Sequence, residues 1–145
     1  SRLIGRCFLP PSLQAQMKLA PTVIVAESIE SRIEIVTEEY VRAPLLDYQN
    51  HYGDGGFNRL KQDLHDSLER IKKRLGGSRY TELDGIMQKA FAQQESTGDY
   101  SYHAHWIEPL LTDYYDPMYN YMLEKKTGSI LFQGTRKEVI QWINQ

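Results

Sequence analysis

Apolar positions along the chain change period several times, and each change marks an element. Leu13, Met17 and Ala20 follow Pro10-Pro11 at helical spacing, which predicts a short helix. Thr22-Val23-Ile24-Val25-Ala26, bounded by Pro21, is a continuous apolar run and reads as a buried parallel strand. Behind Ser28, a capping residue, Ile29, Ile33, Val36 and Tyr40 recur at three-and-four spacing, and Pro44 puts the end of that helix just before it. Past the turn Gly53-Asp54-Gly55-Gly56, the residues Leu60, Leu64, Leu68, Ile71 and Leu75 line one side of a long helix that stops at Gly76-Gly77. A further helix starts near Ser78, carries Tyr80, Leu83, Met87, Ala90 and Phe91, and fades at Gly98. From His103 to Tyr115 the helical pattern continues through Trp106, Leu110 and Leu111 up to Asp116-Pro117. There Asp116 reads as an N-cap and Pro117 as the first residue of a helix reaching about Thr127. Ser129-Ile130-Leu131-Phe132-Gln133 is a second strand, entered after Gly128, and Thr135 with Glu138 forms a capping box for a terminal helix bearing Val139, Trp142 and Ile143.

The pattern is α/β but predominantly helical. Residues 1–45 and 128–145 form a sheet-associated part and 46–127 a helical insertion between the two strands. Two strands are few for a parallel sheet, which has about five or six strands on average, so part of the sheet is expected to be missing.

Length and composition narrow the class. A chain of 145 residues buries a real core and makes one domain or a large part of one. No stretch approaches the roughly 20 apolar residues that span a bilayer, so no membrane role is expected. The formal net charge of −2 supplies no global attraction to nucleic acid, and any such contact must come from a local basic patch. The single cysteine, Cys7, has no internal disulfide partner, which favours a reducing cytoplasm. Arg2 and Arg6 precede only a short apolar stretch broken by Pro10-Pro11, so no signal peptide is visible. The chain begins at Ser1 without an initiator methionine, which suggests truncation or processing.

Candidate chemistry concentrates in Tyr114-Tyr115-Asp116-Pro117-Met118-Tyr119-Asn120-Tyr121 with Glu124-Lys125-Lys126. Tyrosine tips and two ammonium groups on a short rigid helix suit an anion or a nucleobase, while tyrosines bridging core and solvent explain the same residues structurally. A second cluster, Arg70, Lys72, Lys73, Arg74 and Arg79, closes the long amphipathic helix. Cations there oppose the helix dipole, and they also suit phosphate contacts with RNA. His51, His65, His103 and His105 do not make a metal site, since His103 and His105 cannot share a helix face and no Cys or HExxH partner pattern occurs. Asp116 is chemically able to act as a general base, but the N-cap role accounts for it more simply.

The order Ser1-Arg2-x-Ile4-Gly5, Leu9-Pro10, Glu38-Glu39-Tyr40, Tyr52-Gly53-Asp54, Ile71-Lys72-x-Arg74-Leu75-Gly76 and Tyr114-Tyr115-Asp116-Pro117-Met118-Tyr119-x-Tyr121-x-x-Glu124-Lys125-Lys126 resembles the C-terminal portion of bacterial tRNA 2-selenouridine synthases, from the first residue to the last. The resemblance implies the C-terminal part of a P-loop-like parallel-sheet domain. It further implies a transferase that replaces sulfur by selenium at the wobble uridine of tRNA, with selenophosphate as donor, and that geranylates 2-thiouridine from geranyl diphosphate. Such enzymes join an N-terminal rhodanese domain, bearing an essential cysteine, to a P-loop. This chain has neither: no Gly-x-x-x-x-Gly-Lys-Ser/Thr turn occurs, and Cys7 stands in the wrong segment for the rhodanese nucleophile. The chain therefore reads as a fragment from which complete catalysis is not expected, with no catalytic residue and no cofactor of its own, and with tRNA and the rhodanese and P-loop parts as partners.

Phosphorylated donors and RNA present oxyanions, which guanidinium and ammonium groups bind by charge-assisted hydrogen bonds. By that chemistry, Arg2 and Arg32 are candidates for donor or phosphate binding, since ligands of open α/β sheets sit beyond the carboxyl ends of strands. For Arg32 the plain alternative is a surface pair with Glu30 or Glu34. Arg70, Lys72, Lys73, Arg74, Arg79, Lys125 and Lys126 are candidates for tRNA, and Tyr114, Tyr115, Asp116 and Tyr119 for a base or prenyl pocket. The competing class is a non-catalytic helical module that docks a protein through Tyr119, Tyr121 and Lys125.

Overall fold

The computed structural model describes residues 3–4, 7–126 and 128–145, which fall into two compact units. One joins residues 1–28 to 118–145, and the other is the continuous stretch 29–117. Helix dominates, with one parallel and one antiparallel pair of strands among the described residues.

The unit 29–117 is built on helices α2 (Ile29–Thr37), α3 (Ala43–Tyr52), α4 (Gly56–Leu75), α5 (Gly77–Thr97) and α6 (Ala104–Leu110). The predicted stripe of α4 faces inward: Leu60 and Leu68 are buried, and Leu64, Ile71 and Leu75 pack against the core. A single residue, Gly76 at φ 93°, separates α4 from α5. That left-handed backbone suits glycine, and it lets the two long helices fold back on each other. Val41, Leu83, Met87, Phe91, Trp106 and Ile107 complete the core, and Gly98 at φ 72° ends α5 where the apolar pattern fades.

Two prolines behave differently from the sequence reading, for one shared reason. Pro44 does not lie beyond a helix end, and Asp116-Pro117 is not a helix start. Each follows a π-helical turn, Glu38–Arg42 and Leu111–Tyr115 respectively, through which the helix runs on. The N–H of Ala43 bonds the carbonyl of Glu38 and that of Asp116 the carbonyl of Leu111, five residues back in both cases. The widened turn shifts the ladder by one residue just ahead of a proline that cannot donate. Asp116 itself has φ −62° and ψ −47°, helical values, so it is not an N-cap. Helix α7 (Asp116–Glu124) thus begins as a continuation.

In the unit of residues 1–28 and 118–145, β1 (Leu3–Ile4) and β2 (Cys7–Phe8) pair antiparallel, and α1 (Pro11–Leu19) follows. The short β1–β2 pair was not legible in the sequence. Strands β3 (Thr22–Val25) and β4 (Ile130–Gly134) pair in parallel, with Val23 opposite Phe132 and Val25 opposite Gly134. A Cβ on Gly128 would lie 2.2 Å from the Ala20 carbonyl oxygen, so the chain enters β4 through a space only glycine fits. Helix α8 (Arg136–Ile143) carries the predicted capping box, buries Val139 and stacks Trp142 on Phe132 at 5.3 Å between centroids. Phe8, Val25, Ile130, Leu131, Ile140 and Ile143 stay more than half exposed, which leaves this small sheet thinly covered.

Candidate functional site

The arginine of α2 and the carboxylate that opens α7 find each other. Arg32 Nη1 donates to Asp116 Oδ2 at 2.9 Å and Nη2 to Oδ1 at 2.5 Å, a bidentate fork between half-buried side chains. The hydrogen bond to Asp116 raises the guanidinium pKa against the smaller opposing effect of burial. Arg32 therefore pairs with Asp116 rather than with Glu30 or Glu34, and two residues assigned to different candidate groups form one contact. The rings of Tyr114 and Tyr115 stand edge to face at 5.0 Å in the π-turn before Asp116. Arg2 lies outside the described residues.

In the other unit Tyr119 and Tyr121 are exposed on α7. Lys125 hydrogen-bonds the Tyr121 hydroxyl with its ammonium 4.1 Å from that ring's centroid, and Lys126 donates to Thr22 Oγ1 at 3.0 Å.

The basic end of α4 divides by partner. Arg79 is held by Glu82 at 3.1 Å and by Asp113, and Lys72 sits 4.4 Å from the centre of the Tyr80 ring. Arg70 donates to Ser67 Oγ at 2.5 Å, which leaves its charge uncompensated. Lys73 and Arg74 are exposed and carry no hydrogen bond or ion pair among the described residues. Arg70, Lys73 and Arg74 are thus the uncommitted cations of the cluster.

Two clefts were not anticipated. The first, about 450 Å³, runs beside the π-turn of Arg42, whose guanidinium lies 4.9 Å from the Tyr100 ring centre and pairs with Glu38. Glu30, Glu34 and Asp99 also line it, and hydrogen bonds from Ser101 hold the Asp99 carboxyl below its usual range. The second, about 400 Å³, lies between α4 and α5. There His65 Nδ1 is 2.7 Å from Asp84 Oδ1, and Gln88 Nε2 donates to Asp84 Oδ2 at 2.8 Å, above the buried Met87 and Phe91. The signal for this groove was present as Asn58, Lys61 or Gln62, and His65 at i, i+3/4, i+7, beside the apolar stripe. It passed unread because Asp84 comes from another helix.

For metals, His65, Asp66 and Glu69 place one ligand atom each within 4.8 Å of one another; His65 Nδ1 is bonded to Asp84, and Asp66 and Glu69 are acidic groups of the helix surface. His103 is sealed in the core. Trp106 Nε1 donates to its Nδ1 at 2.9 Å, so Nε2 carries the proton and donates to Gln94 Oε1 at 2.8 Å. Burial pushes the His103 pKa down to about 4. Cys7 is exposed as a free thiol, and no helix among the described residues is long and apolar enough to cross a membrane.

Comparison with known proteins places these features in a sequence family. The family model described as the tRNA 2-selenouridine synthase AAA domain matches residues 1–145. The chain is 47% identical over 145 residues to the tRNA 2-selenouridine synthase of Alcanivorax borkumensis, covering 99% of this chain and 40% of that protein. It is 45% identical over 143 residues to the one from Marinobacter nauticus, covering 98% and 39%, and 41% identical over 143 residues to the one from Salmonella typhi, again 98% and 39%. The chain spans about 40% of the length of these curated relatives. No solved structure matches it.

Proposed function

Since the chain belongs to the family of the tRNA 2-selenouridine synthase AAA domain, we propose that it is the tRNA-contacting part of a tRNA-modifying transferase. In this reading the complete enzyme replaces sulfur by selenium at the wobble uridine, taking selenium from selenophosphate, and geranylates 2-thiouridine from geranyl diphosphate. The parallel pair β3–β4 belongs to a P-loop-like sheet completed by other parts of the polypeptide, residues 46–127 are a helical insertion, and the enzyme works in the cytoplasm beside its rhodanese and P-loop parts.

One observation carries the RNA role: Arg70, Lys73 and Arg74 crowd the last two turns of α4 with no acidic partner among the described residues, although the chain as a whole is acidic. Uncompensated cations on a rigid helix end suit a phosphate backbone. The test is the salt dependence of tRNA binding by the complete enzyme. Phosphate contacts give a linear fall of log affinity with log salt, and Lys73→Glu with Arg74→Glu should flatten that slope by about 0.7–1 per lost contact. A shallow slope, unmoved by the reversals, would favour an aromatic-centred protein interface around Tyr119 and Tyr121 instead.

A further inference from the structure

The groove between α4 and α5 holds hydrogen-bonding groups that the fold itself does not consume. Asp84 accepts as a carboxylate, so the 2.7 Å contact puts a proton on His65 Nδ1, and in the Nδ1–H tautomer Nε2 is the ring's acceptor. Gln88 spends one N–H on Asp84 and Gln62 spends one on Asp66 at 2.7 Å; each keeps its carbonyl and a second N–H. Asn58 and Lys61 have no hydrogen-bond or ion-pair partner among the described residues. Beneath this rim lie Met87, 3% exposed, and Phe91, fully buried behind it, so the floor of the groove is apolar and closed to water.

These properties select a ligand. The volume, about 400 Å³, lies at the small end of the roughly 300–1,000 Å³ typical of ligand pockets. One ammonium cannot hold a diphosphate, and an apolar chain has no use for three amides. A planar heterocycle with one N–H between two acceptors matches an imidazole acceptor in a groove that also offers amide donors. Uracil has that edge, whereas cytosine presents an acceptor at N3. We infer that this groove takes the base of an unstacked uridine-type nucleotide, with His65 Nε2 accepting from N3–H, the amides of Asn58 and Gln88 serving its two exocyclic acceptors, and Lys61 meeting its phosphate.

The inference deepens the tRNA reading and rests on it for the identity of the polymer. Lys61 and Lys73 lie on one helix, twelve residues or about 18 Å apart, so the groove and the basic end of α4 are within reach of a single strand a few nucleotides long. Reading the edge of an unstacked base with side-chain donors and acceptors is how single-stranded RNA is recognised elsewhere.

Methionine methyl NMR tests it directly, because Met87 is in the floor. The full-length enzyme, labelled on methionine ε-carbon and assigned with Met87→Leu, is titrated with 2-thiouridine, uridine and cytidine nucleosides. The Met87 methyl should move with uridine and 2-thiouridine, and cytidine should bind about tenfold more weakly. His65→Gln, which keeps the polar volume, should erase that preference while thermal unfolding and the salt slope of tRNA binding stay as they were. A Met87 signal that ignores all three nucleosides, or responds equally to uridine and cytidine, overturns the inference. If tRNA binds with its full salt slope while the groove stays silent, the tRNA reading survives and the base pocket does not. If nucleosides bind but tRNA does not, the pocket stands and the tRNA reading falls.

Discussion

Arg32 and Asp116, 84 positions apart in sequence, are joined by two hydrogen bonds of 2.5 and 2.9 Å. The fork ties α2 to Asp116 just after the second π-turn, within the unit 29–117, and it offsets the charge that a phosphate ligand would need. Any oxyanion using Arg32 must share the guanidinium with Asp116 or displace it. Both side chains keep about a third of their surface in water, so the pair should contribute about 1 kcal/mol rather than the larger figure of a buried one. Asp116→Asn should therefore lower urea stability by that amount with an unchanged m-value. The same variant should strengthen inorganic phosphate binding if Arg32 serves a phosphorylated donor. Arg32→Lys should cost as much as Asp116→Asn, since an ammonium cannot form the fork; a stability equal to that of the native chain would show that the geometry contributes nothing.

The buried His103 makes stability depend on pH. Its folded pKa, about 4, lies below the ordinary 6.5, so the unfolded chain binds more protons between those values and stability rises with pH there. The contribution is complete above pH 6.5 and is lost as pH falls toward 4, by about 3 kcal/mol at the lower end. Urea titrations at pH 7, 5.5 and 4 check this, and the indole N–H signal of Trp106 reports the same event, because protonated Nδ1 can no longer accept from it. In His103→Asn the slope over this range should shrink; a slope that survives unchanged assigns it to other groups.

How much of this was legible follows from which signals are local. The stripe Leu60–Leu64–Leu68, the stops at Gly76 and Gly98, the strands near Val23 and Leu131 and the Thr135 capping box rest on neighbours within a turn or two, and the structure contains them all. The prolines misled because their effect depends on hydrogen bonds five residues back: Pro44 and Pro117 carry the same sequence signal whether a helix breaks or widens into a π-turn. Partners of charged groups were illegible for the same reason. Asp116 for Arg32, Asp113 for Arg79 and Asp84 for His65 are separated by 84, 34 and 19 positions. The resemblance carried the family, but it could not say which cations the fold had already spent.

Gly56 marks a close approach between helices. A Cβ there would lie 2.6 Å from backbone atoms of Tyr48 and Gln49, whereas one on Gly55 would meet nothing within 4 Å. Backbone cannot swing aside as a long side chain can, so Gly56→Ala should force α3 and α4 apart at a cost of about 1–3 kcal/mol. Gly55→Ala should be close to neutral. Thermal unfolding of both variants is the check, and equal midpoints would mean that α3 and α4 are not in fact so close at this point.

The Thr135 cap offers a test confined to the terminal helix. Its hydroxyl accepts from the Glu138 N–H, while Glu138 Oε2 accepts from the Thr135 N–H at 2.7 Å and from the hydroxyl at 2.8 Å. The backbone bond from Thr135, followed by that from its side chain, holds the Glu138 carboxyl below its usual pKa. A lowered carboxylate pKa means that the cap's contribution is present at neutral pH and lost as pH falls through the acidic range. Thr135→Ala should cost about 1 kcal/mol and fray the first turn of α8. With 5-fluorotryptophan incorporated, the chain has two reporters, and Trp142, stacked on Phe132, should shift in the variant while Trp106 in the other unit should not. Acidification should move the Trp142 signal of the native chain in the same direction as the substitution, and a signal indifferent to both would show that α8 is held by Val139 and the Trp142 stack without help from its cap.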